Sequence, residues 1–274
     1  MRGARAYRSA PPLIDSPRAD SSVKRDQYWL RLSATAVCFA VFGLVTFALG
    51  LVLAVMRLSG SARRTRRLSR AIVGAGLRFF VAFMRCVRSI DYEFTGHEKL
   101  GRPGQLIIAN HPTLIDAVFL LGFARSSNCI VKVGLFRNAI TRSAVKAAGY
   151  IPNAPTDEMI HAAESALAEG QTLLVFPEGT RTVPGQPMRM QRGAANVALR
   201  AARVVTPVFI FVDPPTLSKG HPWYRITACR TQFRLVVGDD INLDPYRSSP
   251  LPLASRRLNE DLAGLFERAN AVRK

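Results

Sequence analysis

Apolar and polar positions divide the chain into stretches of different character. Residues 1 to about 28 are polar, contain arginine and proline, and follow no period, which is the composition of a disordered segment. From Leu32 to Met56 there is no charged residue, a run of about 25 residues and long enough to cross a bilayer with some tilt. A cleaved signal peptide is the plain alternative, with Ser59-Gly60-Ser61-Ala62 as a faint cleavage patch. The length of the run and the intervening Arg57 favour an uncleaved anchor. The next stretch projects as a helix with Arg67, Arg70, Arg78, Arg85 and Arg88 inside one arc of roughly 80°. Ile72, Val73, Leu77, Phe79, Phe80, Val81, Phe83 and Met84 fill its other faces. An apolar helix with one arginine stripe suits the lipid–water interface, with guanidinium groups on phosphates. The alternative is a helix packed on the globular domain with a solvated basic face.

Beyond Asp91 short apolar runs alternate with helical periodicity. The runs predict strands at Tyr92–Thr95, Gln105–Ala109, Cys129–Val133, Thr172–Phe176, Val205–Val212 and Phe233–Val237. Between them the pattern predicts helices at Thr113–Phe123, Asn138–Ala148, Thr156–Ala168 and Arg192–Ala202, with a terminal amphipathic helix at Ser255–Val272. Such alternation specifies an α/β domain with a largely parallel or mixed sheet flanked by helices. The resulting partition is a basic N-terminus (1–31), a transmembrane helix (32–56), an interfacial amphipathic helix (57–90), an α/β domain (91–240) and a helical tail (241–274).

Charge adds a partner to this picture. The 274 residues hold 38 Lys plus Arg against 19 Asp plus Glu, a formal net charge of +19, and arginine dominates the basic set. An excess of this size calls for an anionic partner. No zinc-ligand spacing, basic zipper or aromatic RNA-binding signature accompanies it, so nucleic acid is not expected. The basic residues instead cluster around the apolar segments, which points to a phospholipid membrane. Arg57, Arg63, Arg64, Arg66, Arg67 and Arg70 after the apolar run outweigh Arg18, Lys24, Arg25 and Arg31 before it. That bias puts the α/β domain on the cytoplasmic side of the cell inner membrane. Cys38, Cys86, Cys129 and Cys229 have no metal-ligand spacing and read as reduced, mostly buried residues.

Two segments carry the chemistry. Asn110-His111-Pro112-Thr113-Leu114-Ile115-Asp116 follows the apolar run Leu106–Ala109, and Phe176-Pro177-Glu178-Gly179-Thr180-Arg181 follows Leu173–Phe176. At a strand end and the first turn of the next helix, a five-residue spacing brings the Asp116 carboxylate to one imidazole nitrogen of His111. The carboxylate fixes the tautomer while the other nitrogen accepts a proton. This is the base half of a serine-type triad, the nucleophile being a substrate hydroxyl. In the second segment Gly179 permits positive φ, and Arg181 offers a planar fork to a phosphate. His97, His161 and His221 have no Asp at that offset and read as surface or loop residues.

Over about Gln105 to Val212 the chain resembles the glycerolipid acyltransferase family, that of the lysophosphatidate acyltransferases. Asn110–Asp116 resembles its N-H-x4-D block and Phe176–Arg181 its F-P-E-G-T-R block. Gln191-Arg192-Gly193 and Thr206-Pro207-Val208 resemble two further blocks. The resemblance implies a glycerolphosphate-acyltransferase-like fold, His111 as general base with Asp116 as partner, and Glu178, Gly179, Thr180 and Arg181 at the acceptor's phosphate. It also implies acyl-CoA or acyl carrier protein as co-substrate, a lysophospholipid acceptor, and no cofactor or metal. Lys132 fits the second block, where the family's usual arginine is replaced by Asn153, so Arg137 or Arg142 becomes the candidate substitute. Other acceptors (an aryl-polyene, ornithine-lipid or glycolipid precursor) and a non-catalytic anionic-lipid-binding role are the competing expectations.

Overall fold

The computed structural model describes residues 28–56, 62–154, 157–183 and 188–271, apart from 221, 223 and 228. The expected disordered N-terminus to residue 27, Arg57, residues 59–61 of the cleavage patch, Thr156, His221 and Val272 lie outside them. Among the described residues seven strands form one sheet: β1 (Ile90–Thr95), β2 (Gln105–Ala109), β3 (Asn128–Lys132), β4 (Ile151–Asn153), β5 (Leu173–Val175), β6 (Val204–Asp213) and β7 (Thr231–Val237). Their spatial order is β1-β7-β6-β2-β5-β3-β4, and every pairing is parallel except β6 with β7. The sheet is therefore mixed, as the alternating pattern requires.

Helices cover both faces. On one side lie α1 (Tyr28–Met56), α2 (Ala62–Cys86), α3 (Asp116–Phe123) and α5 (Arg142–Ala148), and on the other α6 (Asp157–Ala168), α7 (Gly193–Ala201) and α9 (Leu251–Ala271). Two short helices, α4 (Gly134–Arg137) and α8 (Asp244–Arg247), link elements. Strand β2 shows how period two feeds both layers: Leu106 and Ile108 enter one core, Ile107 and Ala109 the other, and all are fully buried. The C-terminal segment is part of this body, because α9 buries Leu258, Leu262, Leu265 and Phe266 against α7 and β6. Each such side chain contributes about 1.5–3 kcal/mol by leaving water. Helix α5 ends at Gly149, whose φ of +64° lets Gly149 N–H reach Lys146 O and Tyr150 N–H reach Val145 O.

The element boundaries differ from expectation where local chemistry intervenes. Helix α3 starts at Asp116 rather than Thr113, because Thr113–Ile115 form the turn that wraps the Asp116 carboxylate. Strand β4 was not expected. It has three residues and contains Pro152, a residue with no N–H that is tolerated here because β4 is the edge strand. Cys38 and Cys129 are buried, but Cys86 is exposed at the end of α2 and Cys229 half-buried, so the cysteines are less buried than composition implies.

The arginine stripe of α2 is shared between the domain and the surface: Arg70 is buried, whereas Arg67, Arg78 and Arg85 are exposed. Arg70 is 6% exposed and donates to Ala148 O at 2.8 Å and Gln171 Oε1 at 2.6 Å. Arg78 packs over Gly122 of α3, and Arg85 pairs with Asp91 while lying over the Tyr92 ring. Arg88 lies beyond the helix in the turn to β1, at φ +57°. Exposed on α2 are Leu68, Ala71, Ala75, Phe79 and Ala82, together with Arg63, Arg64, Arg66, Arg67, Arg78 and Arg85.

The end of the sheet where β2 begins is closed by one amide. Gln105, fully buried, accepts from the N–H groups of Gly101 and Arg102 and donates to Lys99 O and Thr206 Oγ1. Arg102 and Thr206 in turn meet Asp240. Gln105→Met keeps the volume but strands the Gly101 and Arg102 donors. It should lower unfolding stability by about 2–4 kcal/mol in urea titration.

Candidate active site

At the carboxyl end of β2 the chain leaves the sheet through Asn110, which is buried and locked to β6. Asn110 Nδ2 donates to Ile210 O and Asn110 Oδ1 accepts from Ile210 N–H, both at 2.8 Å. This two-point lock fixes the starting direction of the following turn. His111 then presents Nδ1 to Asp116 Oδ2 at 2.8 Å. Asp116 is wholly buried and also accepts from Thr113 N–H at 2.7 Å and from the Thr113 hydroxyl. Burial raises its carboxyl above the ordinary range, and the bonds from His111 and Thr113 oppose that shift without cancelling it.

The second segment is stitched to the first. Thr182 N–H donates to His111 O at 2.7 Å, and the Glu178 carboxylate accepts from His111 N–H at 2.9 Å and from the Thr182 hydroxyl at 2.7 Å. Glu178 is nearly buried, and burial raises its pKa against those same bonds. The Phe176 ring stacks on the His111 imidazole, with centroids 4.2 Å apart and planes 23° from parallel. Gly179 has φ +65°, a conformation that strains any L side chain, so the turn favours glycine.

The other expected site residues are arranged around this pair. Arg181 donates through Nη1 to Leu217 O at 2.8 Å and Ser218 O at 3.2 Å, holding the loop after β6 over the site. Leu217 O also accepts from Leu114 N–H. Thr180 is exposed beside it. Lys132 is exposed at the end of β3, directly across from Asn153 on β4, and Arg137 is exposed on α4. The structure thus gathers His111, Asp116, Glu178, Gly179 and Arg181 through hydrogen bonds within and between two segments and the 217–218 loop. Lys132 and Arg137 stand further along the same sheet edge. Sequence reasoning missed Asn110, Thr113, Phe176 and Thr182 as parts of the site. The only available signal was their position inside or next to the two segments.

An apolar cavity of about 320 Å³ runs from this rim between α1, α2, α3 and α5. Leu114, Ile115 and Leu217 line its end nearest the dyad, and Phe42, Phe80 and Ala144 line its interior. The His111–Asp116 pair therefore lies next to an apolar chamber. Among the described residues no cluster of His, Cys, Asp and Glu is arranged to hold a metal ion.

A family model described as Acyltransferase matches residues 91–211, the span that contains both segments. That span is similar to the acyltransferase domain along its length. It is 26% identical to the 1-acyl-sn-glycerol-3-phosphate acyltransferase of Pseudomonas aeruginosa, over 66% of this chain and 68% of that protein. It is 28% identical to a chloroplastic 1-acyl-sn-glycerol-3-phosphate acyltransferase of Arabidopsis thaliana, over 37% of this chain and 30% of that protein. The crystal structure of the 1-acyl-sn-glycerophosphate acyltransferase from Thermotoga maritima shares the fold, with a TM-score of 0.64 and 20% identity over 88% of this chain and 96% of that one. The protein is an acyltransferase of the lysophosphatidate acyltransferase-like kind.

In this acyltransferase Glu178 braces two backbone segments from beneath. Glu178→Ala leaves His111 N–H and the Thr182 hydroxyl without their acceptor and should cost about 1.5–3 kcal/mol. Glu178→Gln keeps one acceptor oxygen and should recover most of that loss. Urea unfolding of the two variants checks the ordering.

Proposed function

We propose that this acyltransferase moves a fatty acyl group from acyl-CoA or acyl carrier protein to the hydroxyl of a lysophospholipid such as 1-acyl-glycerol-3-phosphate. The observation that carries the reading is the His111–Asp116 pair at 2.8 Å on the rim of an apolar cavity. Asp116 holds the Nδ1 proton, so Nε2 is the basic nitrogen and takes the proton of the acceptor hydroxyl. The hydroxyl oxygen attacks the thioester carbonyl and forms the new C–O bond. The tetrahedral adduct collapses, the C–S bond breaks, and the thiolate leaves with the proton returned by the imidazolium. Arg181, Lys132 and Arg137 supply cationic groups for the acceptor's phosphate, a positioning effect. Glu178 serves this site as a brace, since its carboxylate is engaged by backbone and hydroxyl donors.

Membrane association belongs to the same reading. Helix α1 is long and apolar enough to cross a bilayer, and its outward flank carries Leu44, Phe47, Leu51 and Val55, each more than 60% exposed. That surface is too apolar to face water in a stable monomer. The opposite flank, with Cys38 and Leu53, is buried on α2 and α5. Helix α1 thus lies alongside the catalytic body, and this packing favours shallow insertion into one leaflet over a full crossing. The site then opens at the lipid surface from which a lysophospholipid comes, on the cytoplasmic face of the inner membrane where acyl donors are made.

If His111 is the base, His111→Ala should reduce acyl transfer by about 10²–10⁴-fold with the fold intact. Asp116→Asn should lose activity by destroying the tautomer and charge control. Near-normal acylation by folded His111→Ala protein would end the mechanism.

Asn153 favours a second reading of the acceptor. It stands across from Lys132 where the resemblance expects an arginine, so one cationic fork for a phosphate monoester is missing. Asn153→Arg should lower KM for 1-acyl-glycerol-3-phosphate several-fold with little change in kcat. If KM is unmoved, and a lysolipid lacking the monoester is acylated faster by the native enzyme, the acceptor is the less charged lipid.

A further inference from the structure

At the opposite end of the sheet from His111 the chain builds a second cavity of about 680 Å³. Its walls are Arg63, Arg64, Arg67 and Arg70 of α2, Arg125 after α3, the Gly101 and Pro103 loop before β2, and residues 169–172 before β5. Five guanidinium groups face one carboxylate, that of Glu169, which is half exposed and lies 3.9 Å from Arg63. For Arg64, Arg67 and Arg125 no carboxylate lies within ion-pair distance among the described residues. The catalytic dyad is about 20–25 Å away by strand rise, on the far side of β2. The acyl-transfer reaction makes no use of this cluster.

Two features mark it as a site for a ligand rather than a solvated basic face. The first is construction: Arg70, almost fully buried, is clamped by Ala148 O and Gln171 Oε1, and Gln171 is held by Asn128. That clamp fixes one guanidinium in the wall and sets the register of the α2 turn bearing Arg63 and Arg67. Arginines spaced three and four apart project from one helical face and converge on the same space. Like charges gathered in a concavity repel one another unless an anion lies among them, and planar forks match phosphate oxygens. The second feature is its setting. The exposed apolar flank of α1 runs through Leu51, Val52 and Val55 to the helix end, and Leu68 of α2 is also exposed. Apolar side chains bordered by convergent arginines reproduce the profile of acyl chains beneath phosphate headgroups.

We propose that this cavity binds the phosphate of an anionic phospholipid headgroup, making a second membrane contact at the end of the molecule remote from catalysis. The site rests on the reading that the α1 flank enters a membrane. With the apolar flank between them, the arginine cavity and the catalytic rim become two fixed points that hold α1 along the bilayer surface.

The test uses the full-length protein, the variant Arg64→Gln/Arg67→Gln/Arg125→Gln, and a control, Arg247→Gln/Arg256→Gln/Arg257→Gln, with the same loss of charge on α8 and α9. Each is sedimented with phosphatidylcholine vesicles and with vesicles containing one third phosphatidylglycerol, and each is assayed for acyl transfer in detergent micelles. The native protein and the control should bind the anionic vesicles at least ten-fold better than the neutral ones. The cavity variant should lose that preference while keeping its neutral-vesicle binding and its micellar activity. A cavity variant that retains the preference, or a control that loses it equally, overturns the site but leaves the membrane reading standing. Native protein that sediments with neither vesicle overturns both. Titration with inorganic phosphate separates the two sources of the ligand group: protection of the native protein against thermal unfolding at millimolar phosphate, absent in the cavity variant and with no vesicle preference, would make this a soluble-phosphate site and overturn the lipid assignment.

Discussion

A carboxylate with no exposure to water is tolerable only when donors surround it, and the active-site geometry follows from that requirement at Asp116. Its donors are the His111 ring and the Thr113 N–H and hydroxyl, all within five residues upstream. To supply them the chain must fold back over the first turn of α3, which in turn fixes the imidazole plane. Glu178 repeats the device one strand away, drawing in His111 N–H and Thr182. Two buried carboxylates, each satisfied by the other segment or by its own loop, tie the ends of β2 and β5 into one rigid floor. Asn110 anchors that floor to β6. Pre-organisation here comes from the cost of leaving buried charge unpaired.

A second constraint is that α1 is apolar on the flank it exposes as well as on the one it buries. Its sequence is apolar all round, with no amphipathic stripe, so the sequence pattern cannot say which flank faces protein. Packing decides: Leu53 and Cys38 go inward, and Gly50 lets the helix approach Ser143 of α5, where an added Cβ would stand 3.3 Å away. Because α1 and α2 cross over α3 and α5 without filling the space between, the apolar cavity remains beside the dyad. The same helix pair therefore supplies an outer apolar surface and an inner apolar chamber.

What could be read from the sequence was what is local. Strand β2 matches residue for residue, and the His111–Asp116 contact follows from a strand end and a helix start at a fixed offset. The core strands and main helices were legible because period two and period 3.6 reflect burial that neighbours in sequence share. Contacts between distant segments were not. Nothing near Glu178 signals that its partner is the backbone of a residue 67 positions earlier, and nothing near Arg181 signals the Leu217 and Ser218 carbonyls. The arginine stripe of α2 shows the same limit: its periodicity does not tell that Arg70 is drawn into the domain by Gln171 while Arg67 and Arg78 stay exposed. Three-residue β4 lacks enough alternation to be recognised at all.

The distribution of charge completes the argument. A net charge of +19 could have served catalysis, yet the catalytic rim holds few cations, and one nitrogen of Arg181 is taken by loop carbonyls. Position 153, on the same edge, is neutral. The dense group of arginines lies instead at the start of α2, behind the sheet. Reaction at the rim needs one base and a few well-placed donors, because general-base transfer to a bound hydroxyl depends on geometry rather than on field. The headgroup site proposed above has a different requirement: several guanidinium groups held convergent on one phosphate. On the proposed reading, segregating the two lets the protein be strongly basic without filling its acceptor site with cations that would hold a charged product in place.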